Sequence, residues 1–290
     1  MSLENRALLI KVSKHTVTFS VTDKQATRET AEHHNSDITM GKYIKNIIPK
    51  EKLEHLRKTI NRVTPFVNTY TSPWLDGGWR LLPVELYERV EKGLRDINQE
   101  IEIALDNFCS NYEMSKEAAK NRLGSLFNPS EYPSTDEVRS KFGIDVFFNP
   151  IPTKDDIRIE ASKEQIEEIK KSVEENSEKS LKSAMKHTWD RVFQALERLK
   201  ERMSAEITIN SKGEEIKPRL FDSILGDIRE LVELLPYLNI DNDPKLEDVR
   251  RKMEKEFAEL SMETLREDGD MRKEVANKAE AIIDNIKGII

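Results

Sequence analysis

Asp241-Asn242-Asp243 has the side chains of a cation loop. A helix–loop–helix calcium site needs glycine at its sixth position and a bidentate glutamate at its twelfth. Counted from Asp241, those positions hold Leu246 and Lys252, so the triplet reads as a helix-capping loop before Pro244. His33 and His34 are adjacent and would point about 100° apart on a helix, whereas metal pairs use i,i+3 or i,i+4 spacing. Cys109 is the single cysteine, which excludes an intrachain disulfide and a cysteine-rich zinc site. It lies in an apolar helical stretch and reads as a small buried side chain. No Gly-Lys-Ser/Thr follows Gly77-Gly78, and no Gly-x-Ser-x-Gly elbow occurs. The sequence therefore assigns no catalytic, metal or cofactor residues, and the expectation is a protein that is not an enzyme.

The remaining chemistry is that of contact. Trp74, Trp79 and Arg80 are the residue types that anchor interfaces. They read first as fixing their own segment by aromatic burial and cation–π contact, and second as a partner surface. A second candidate interface is the apolar stripe Leu181, Met185, Trp189, Val192 and Leu196. Lys42, Lys45, Lys50, Arg57 and Lys58 form a candidate basic patch for nucleic acid. Residues 1–72 hold 12 Lys and Arg against 7 Asp and Glu, whereas residues 226–290 hold 11 against 17. The net charge of −7 argues against the whole chain being a nucleic-acid sleeve. Opposite charge at the two ends favours head-to-tail association, which closes into rings or continues as filaments.

Charged residues make up 35% of the 290 residues and hydrophobic residues 37%, with 10 Gly and 11 Pro. That balance suits long helices, each with one buried stripe, and a thin core. The expected fold is mainly α with a small β component (α+β), in which long antiparallel helices with heptad-like seams accompany a small sheet. Residues 7–12 and 16–21 read as strands joined in a hairpin through Ser13-Lys14-His15. Helix-forming residues run over 24–34, residues 40–48 form a short helix or turn, and 51–63 are helical. Residues 70–83, with two tryptophans, a Gly-Gly pair and two prolines, form an ordered connector. A long helix over 84–112 has a seam of Val90, Leu94, Ile97, Ile101, Ala104 or Leu105, and Phe108.

Helix 115–126 and a capped helix from Ser134 follow, then strands over 144–149 and 157–159 that could pair with the first strands. The longest helix starts after Ser162, which makes a capping box with Gln165, and has no proline through Ala205. Unbroken, it would span roughly 65 Å. Residues 174–180 are polar on every face, as a hinge or an exposed crossing would be. A small hairpin over 208–216 precedes helices at 219–235, 245–266 and 271–289. Three segments are expected: a basic head, 1–83; a long-helix core, 84–208, with a β insertion near 143–160; and an acidic helical region, 209–290.

Ile47-Ile48-Pro49-Lys50-Glu51, Ser72-Pro-Trp-Leu-Asp-Gly-Gly-Trp-Arg-Leu-Leu-Pro83, Arg122-Leu-Gly-Ser-Leu-Phe-Asn128 and Tyr132-Pro-Ser134 resemble a family of uncharacterised tailed-phage and prophage proteins. The resemblance covers the middle of the chain well and the carboxy-terminal third weakly. Members are often encoded near a MoxR-type AAA+ ATPase and a protein with a von Willebrand A domain. That implies an ATPase partner rather than an activity, and no catalytic residues carry over. With no signal-peptide pattern and no run of 18 apolar residues, the expected location is the cytoplasm, including that of an infected host. The leading expectation is a self-associating homo-oligomer, then an adaptor of the ATPase or an inhibitor of a host defence protein, then a nucleic-acid binder through the basic head. No membrane partner is expected.

Overall fold

In the computed structural model the chain is described over residues 3–75, 77–157, 162–205, 208–209, 215–216 and 220–288. In order, the elements are β1 (Ala7–His15), β2 (Ser20–Thr22), α1 (Lys24–His33), β3 (Ile44–Asn46), α2 (Lys50–Asn61), α3 (Val63–Tyr70), β4 (Ser72–Pro73) and β5 (Arg80–Pro83). Then come α4 (Tyr87–Ser110), α5 (Tyr112–Leu123), α6 (Thr135–Arg139), β6 (Gly143–Asn149) and α7 (Lys163–Met203). They are followed by β7 (Thr208–Ile209), β8 (Glu215–Ile216), α8 (Ser223–Leu238), α9 (Pro244–Phe257), α10 (Met262–Glu267) and α11 (Gly269–Lys287). The fold is mainly α with a small antiparallel β component, as the patterning predicts.

The chain divides into two compact units that interleave in sequence. One comprises Met1–Lys11, Tyr70–Tyr87 and Phe148–Ile290, and the other Val12–Thr69 and Glu88–Phe147. These boundaries differ from the three consecutive segments read from composition. Pairing of Ala7 through Ile10 with β5 draws the start of the chain into the unit that holds α7 to α11.

In the second unit, the α4 seam is buried as its periodicity predicts, through Val90, Leu94, Ile97, Ile101, Ala104, Leu105 and Phe108. Leu53, Leu56 and Ile60 bury the inner face of α2. Phe19, Phe108 and Tyr112 pack as tilted rings with centroids 5.9 Å apart. Ser134 and Glu137 complete the predicted capping box of α6. Two local expectations fail here. Ser13, Lys14 and His15 do not turn, because they continue β1, and β2 pairs with β3 instead. Residues 44–46, expected as helix or turn, are that partner strand, in a register that sets Val21 opposite Lys45. The expected pairing of the 144–149 strand does form, since β6 is the neighbour of β1, and His15 Nε2 meets Asp145 Oδ2 at 2.6 Å. Arg158 and Ile159, in the further strand candidate 157–159, lie outside the described residues.

In the first unit, β4 and β5 form a hairpin, Ser72 opposite Leu81 and Pro73 opposite Arg80. Its turn uses Gly77 and Gly78 at φ +88° and +81°, a region that costs a side-chain-bearing residue steric strain. The connector is thus a hairpin whose Trp74 is fully buried with Ala7, Leu9, Leu81, Ile151, Ala184 and Ile240.

α7 is one continuous helix of 41 residues, opened by the Ser162–Gln165 capping box, with no break at 174–180. Its second half packs against α8 and α11. That helical core contains Trp189, Val192, Leu196 and Leu199 of α7, Ile228 and Leu235 of α8, Val249 and Phe257 of α9, and Ile282 and Ile286 of α11. α8 runs past the expected end and carries Pro236 in its last turn. The expected helix 245–266 divides into α9 and α10. Arg229 donates to the carbonyls of Ala258 and Leu260 at the division, at 2.8 and 2.5 Å. β7 and β8 pair antiparallel, as the 208–216 hairpin predicts, and Lys212-Gly213 of its turn lies outside the described residues. No helix among the described residues is long and apolar enough to cross a membrane.

Candidate functional site

The middle of α7 lines an open cleft of about 500 Å³. Leu181, Met185 and Trp189 recur every four residues and so share one face of the helix, which gives the cleft its apolar wall. The opposite side is the loop between α8 and α9, contributing Asp241, Asp243 and Lys245. That loop is built by local hydrogen bonding. Asp243 Oδ1 accepts from Lys245 N at 2.9 Å and caps α9, with Pro244 at the first helical position. Asn239 and Asp243 exchange two further bonds of 2.8 and 2.9 Å. The Asp-Asn-Asp triplet is therefore a capping loop, as its spacing indicates. Trp189 Nε1 donates to Asp243 Oδ2 at 3.2 Å and ties α7 to the cap. Lys182, Lys186 and Lys245 line the same cleft as Glu178 and the two aspartates. Such a cleft can take an amphipathic segment. Its lining carries no hydroxyl, thiol or imidazole.

The stripe proposed for contact is largely claimed by the chain itself. Trp189, Val192 and Leu196 are buried in the helical core, and only Leu181 and Met185 remain half-exposed. The correction has a simple cause: a heptad stripe reports burial, and α8 and α11 supply it. Trp74 is likewise core, 1% exposed. Trp79 is half-buried beneath Lys11, whose Nζ lies 5.9 Å from a ring centroid. Arg80 is half-buried and donates to Thr71, through Nε to Oγ1 at 2.6 Å and Nη2 to the carbonyl at 3.0 Å. These three residues brace the hairpin.

The basic patch does not assemble. Lys45 is 5% exposed. It pairs with Asp23 at 2.7 Å and Glu131 at 3.1 Å and donates to the Leu126 carbonyl at 2.7 Å. Burial works to lower its pKa, but bonds to Asp23 and Glu131 prevail and hold it above its ordinary value. Arg57 is spent on the Val17 carbonyl at 2.7 Å, and Lys58 pairs with Glu54 at 2.6 Å. Of the five, only Lys42 and Lys50 stand exposed with no ion pair among the described residues.

Sequence reasoning missed a cluster on the other side of α7, His187 and Arg191 with Arg80. All three are half-buried. Burial, then Arg191, pushes Arg80 down to about 10. Burial, then Arg80 and Arg191, pushes His187 below its usual value, opposed by Asp190. Burial also lowers Arg191, opposed by Glu230. The i,i+4 spacing of His187 and Arg191 was the available signal, but the strand that brings Arg80 has no local mark. Among the described residues no group of three or more His, Cys, Asp or Glu side chains could hold a metal ion. Comparison of the chain with family models, curated proteins and solved structures finds no match in any of the three.

Proposed function

We propose that this chain is a non-enzymatic interaction and assembly protein that associates with further copies of itself through the first half of α7. One observation carries the reading. Residues 163–179 include no buried residue, although Ile166, Ile169 and Val173 lie on them at helical spacing and Ile169 is 38% exposed. The same helix beyond Ser180 is a core element. An isolated helical stretch this polar owes its stability to packing more than to propensity. A second copy would bury the three aliphatic side chains, each worth up to about 1.5–3 kcal/mol when fully covered. The separation of basic and acidic ends supports a head-to-tail arrangement, as a ring or filament.

Light scattering of the purified chain at two salt concentrations tests this, beside an Ile166→Asp/Ile169→Asp variant. Self-association that the double substitution abolishes is the expected result. A strict monomer in both buffers sinks the reading.

A second reading, an adaptor of a MoxR-type AAA+ ATPase or an inhibitor of a host defence protein, draws support from the hairpin tip. Leu75 is 55% exposed and held at φ +48°, the kind of strained position that functional loops retain. The phage-family resemblance centres on that tip, and with it go a phage origin and the host cytoplasm as the place of action. Binding to a purified ATPase of that type, lost on Leu75→Ser by a monomeric chain, favours this reading. Nucleic-acid binding has the weakest support, since Lys45, Arg57 and Lys58 are engaged within the chain.

A further inference from the structure

We infer that Arg80, His187 and Arg191 form a binding site for a phosphate group carried by a small ligand. His187 and Arg191 stand one turn apart on the same face of α7. β4 packs against that helix, and Ser72 Oγ lies 3.4 Å from Thr188 Oγ1 between the two. Arg80 sits opposite Pro73 on the neighbouring strand. The Thr71 bonds fix its guanidinium through Nε and Nη2 and leave Nη1 unspent.

Three cationic or protonatable groups thus converge, and the structure compensates them poorly. None of the three makes an ion pair with a carboxylate among the described residues. Glu230 reaches Arg191, and Asp190 reaches His187, only through space. Arg191 Nη1 and His187 Nδ1 are buried and make no hydrogen bond. Buried donors and charges are costly unless matched. A bracing role explains Arg80, which holds Thr71. It does not explain why a second arginine and a histidine that repel it are brought beside it.

A phosphate group answers each of these features. Planar guanidinium forks match its oxygens. Its negative charge offsets the mutual repulsion, and it favours the protonated imidazole, which then donates from both nitrogens. The side chains are half-buried, so a group arriving from solvent can reach them.

The test uses the full chain titrated with inorganic phosphate, with ionic strength held constant by chloride. The His187 ring is followed by NMR and stability by thermal unfolding. Saturable movement of the His187 signals is expected, with its pKa rising by about one unit or more. Tm should rise with phosphate concentration, as linkage requires. Arg80→Met and Arg191→Met should each weaken binding about tenfold or more, whereas Arg251→Met on α9 should not. If a methionine variant fails to fold, Arg80→Lys and Arg191→Lys replace it, with the same expected direction. Parallel titrations with a nucleoside triphosphate distinguish a nucleotide from free phosphate as the source, and either one binding at this cluster supports the site. No response of His187 or Tm to any of these ligands overturns the inference, as does binding unaltered by the arginine substitutions. Succinate binding as tightly as phosphate overturns the phosphate assignment.

Discussion

Gly93 lies in the interior of α4, where exchange for alanine should in isolation gain about 1 kcal/mol of helix stability. The structure predicts the opposite sign. A Cβ placed on Gly93 would overlap Cζ of Phe66 and lie 2.7 and 2.9 Å from Cε2 and Cε1 of that ring. Carbon atoms in contact rest at about 3.5–4.0 Å, so the ring must move by more than about 1 Å. Overpacking of this kind costs about 1–3 kcal/mol. Swinging the half-buried ring into solvent instead forfeits part of the roughly 1.5–3 kcal/mol of a fully buried aromatic. Set against the propensity gain, Gly93→Ala should leave the unit holding α3 and α4 about 1 kcal/mol less stable. Denaturant unfolding followed by helical circular dichroism measures the loss, and hydrogen exchange assigns it to that unit. The companion experiment is Phe66→Ala, which removes the obstacle. In that background Gly93→Ala should turn stabilising, a reversal that only direct coupling produces. A Gly93→Ala protein more stable than the parent, or the same change in both backgrounds, refutes the steric argument.

Three other outcomes follow from the same structure. Glu247, bonded to Arg250 and Arg251, has its pKa held down from 4.5 to about 2, so it contributes stability above pH 4.5 that is lost as pH falls toward 2. Glu247→Gln should flatten that acid limb by about 1 kcal/mol or less in pH-dependent unfolding, with no change near neutrality beyond the lost bonds. The Cys109 thiol is buried and pushed up by that burial, so a thiol reagent should label it only as fast as the chain opens, and reaction at the exposed-thiol rate would contradict its placement. Lys45→Met should destabilise the second unit strongly, because two carboxylates and the Leu126 carbonyl lose their partner. Lys42→Met should fall within about 0.5 kcal/mol of the parent, and a thermal melt of each variant separates the two.

Where periodicity was strong the sequence was readable. The α4 seam, the two capping boxes and the start of α7 follow from side-chain spacing and from hydrogen bonds between near neighbours. Lys45 shows why the rest was not. Its partners Asp23 and Glu131 are distant in sequence, and an exposed patch and a buried ion cluster have the same local composition. Trp189 poses the converse problem, since an apolar stripe predicts that something covers it but not whether that something is another chain. The polar stretch 174–180 left a hinge and an exposed crossing equally open, and the continuous helix excludes the hinge. A helix needs no apolar face to stay continuous when both flanks are anchored, here by the capping box at Ser162 and the core beyond Ser180.

The interleaving of the two units orders the events of synthesis. By the time Phe147 leaves the ribosome, every residue of the unit built on α2 to α6 has emerged, and that unit is free to fold. The strand and hairpin of the other unit must wait for α7 to α11, which emerge later. During that interval Trp74 and the inner face of β5 lack the partners Ile151, Ala184 and Ile240, so the growing chain presents these apolar side chains to chaperones at a defined stage. A chain released before α7 would hold one finished unit and one exposed hairpin, and protein quality control would recognise it by that hairpin.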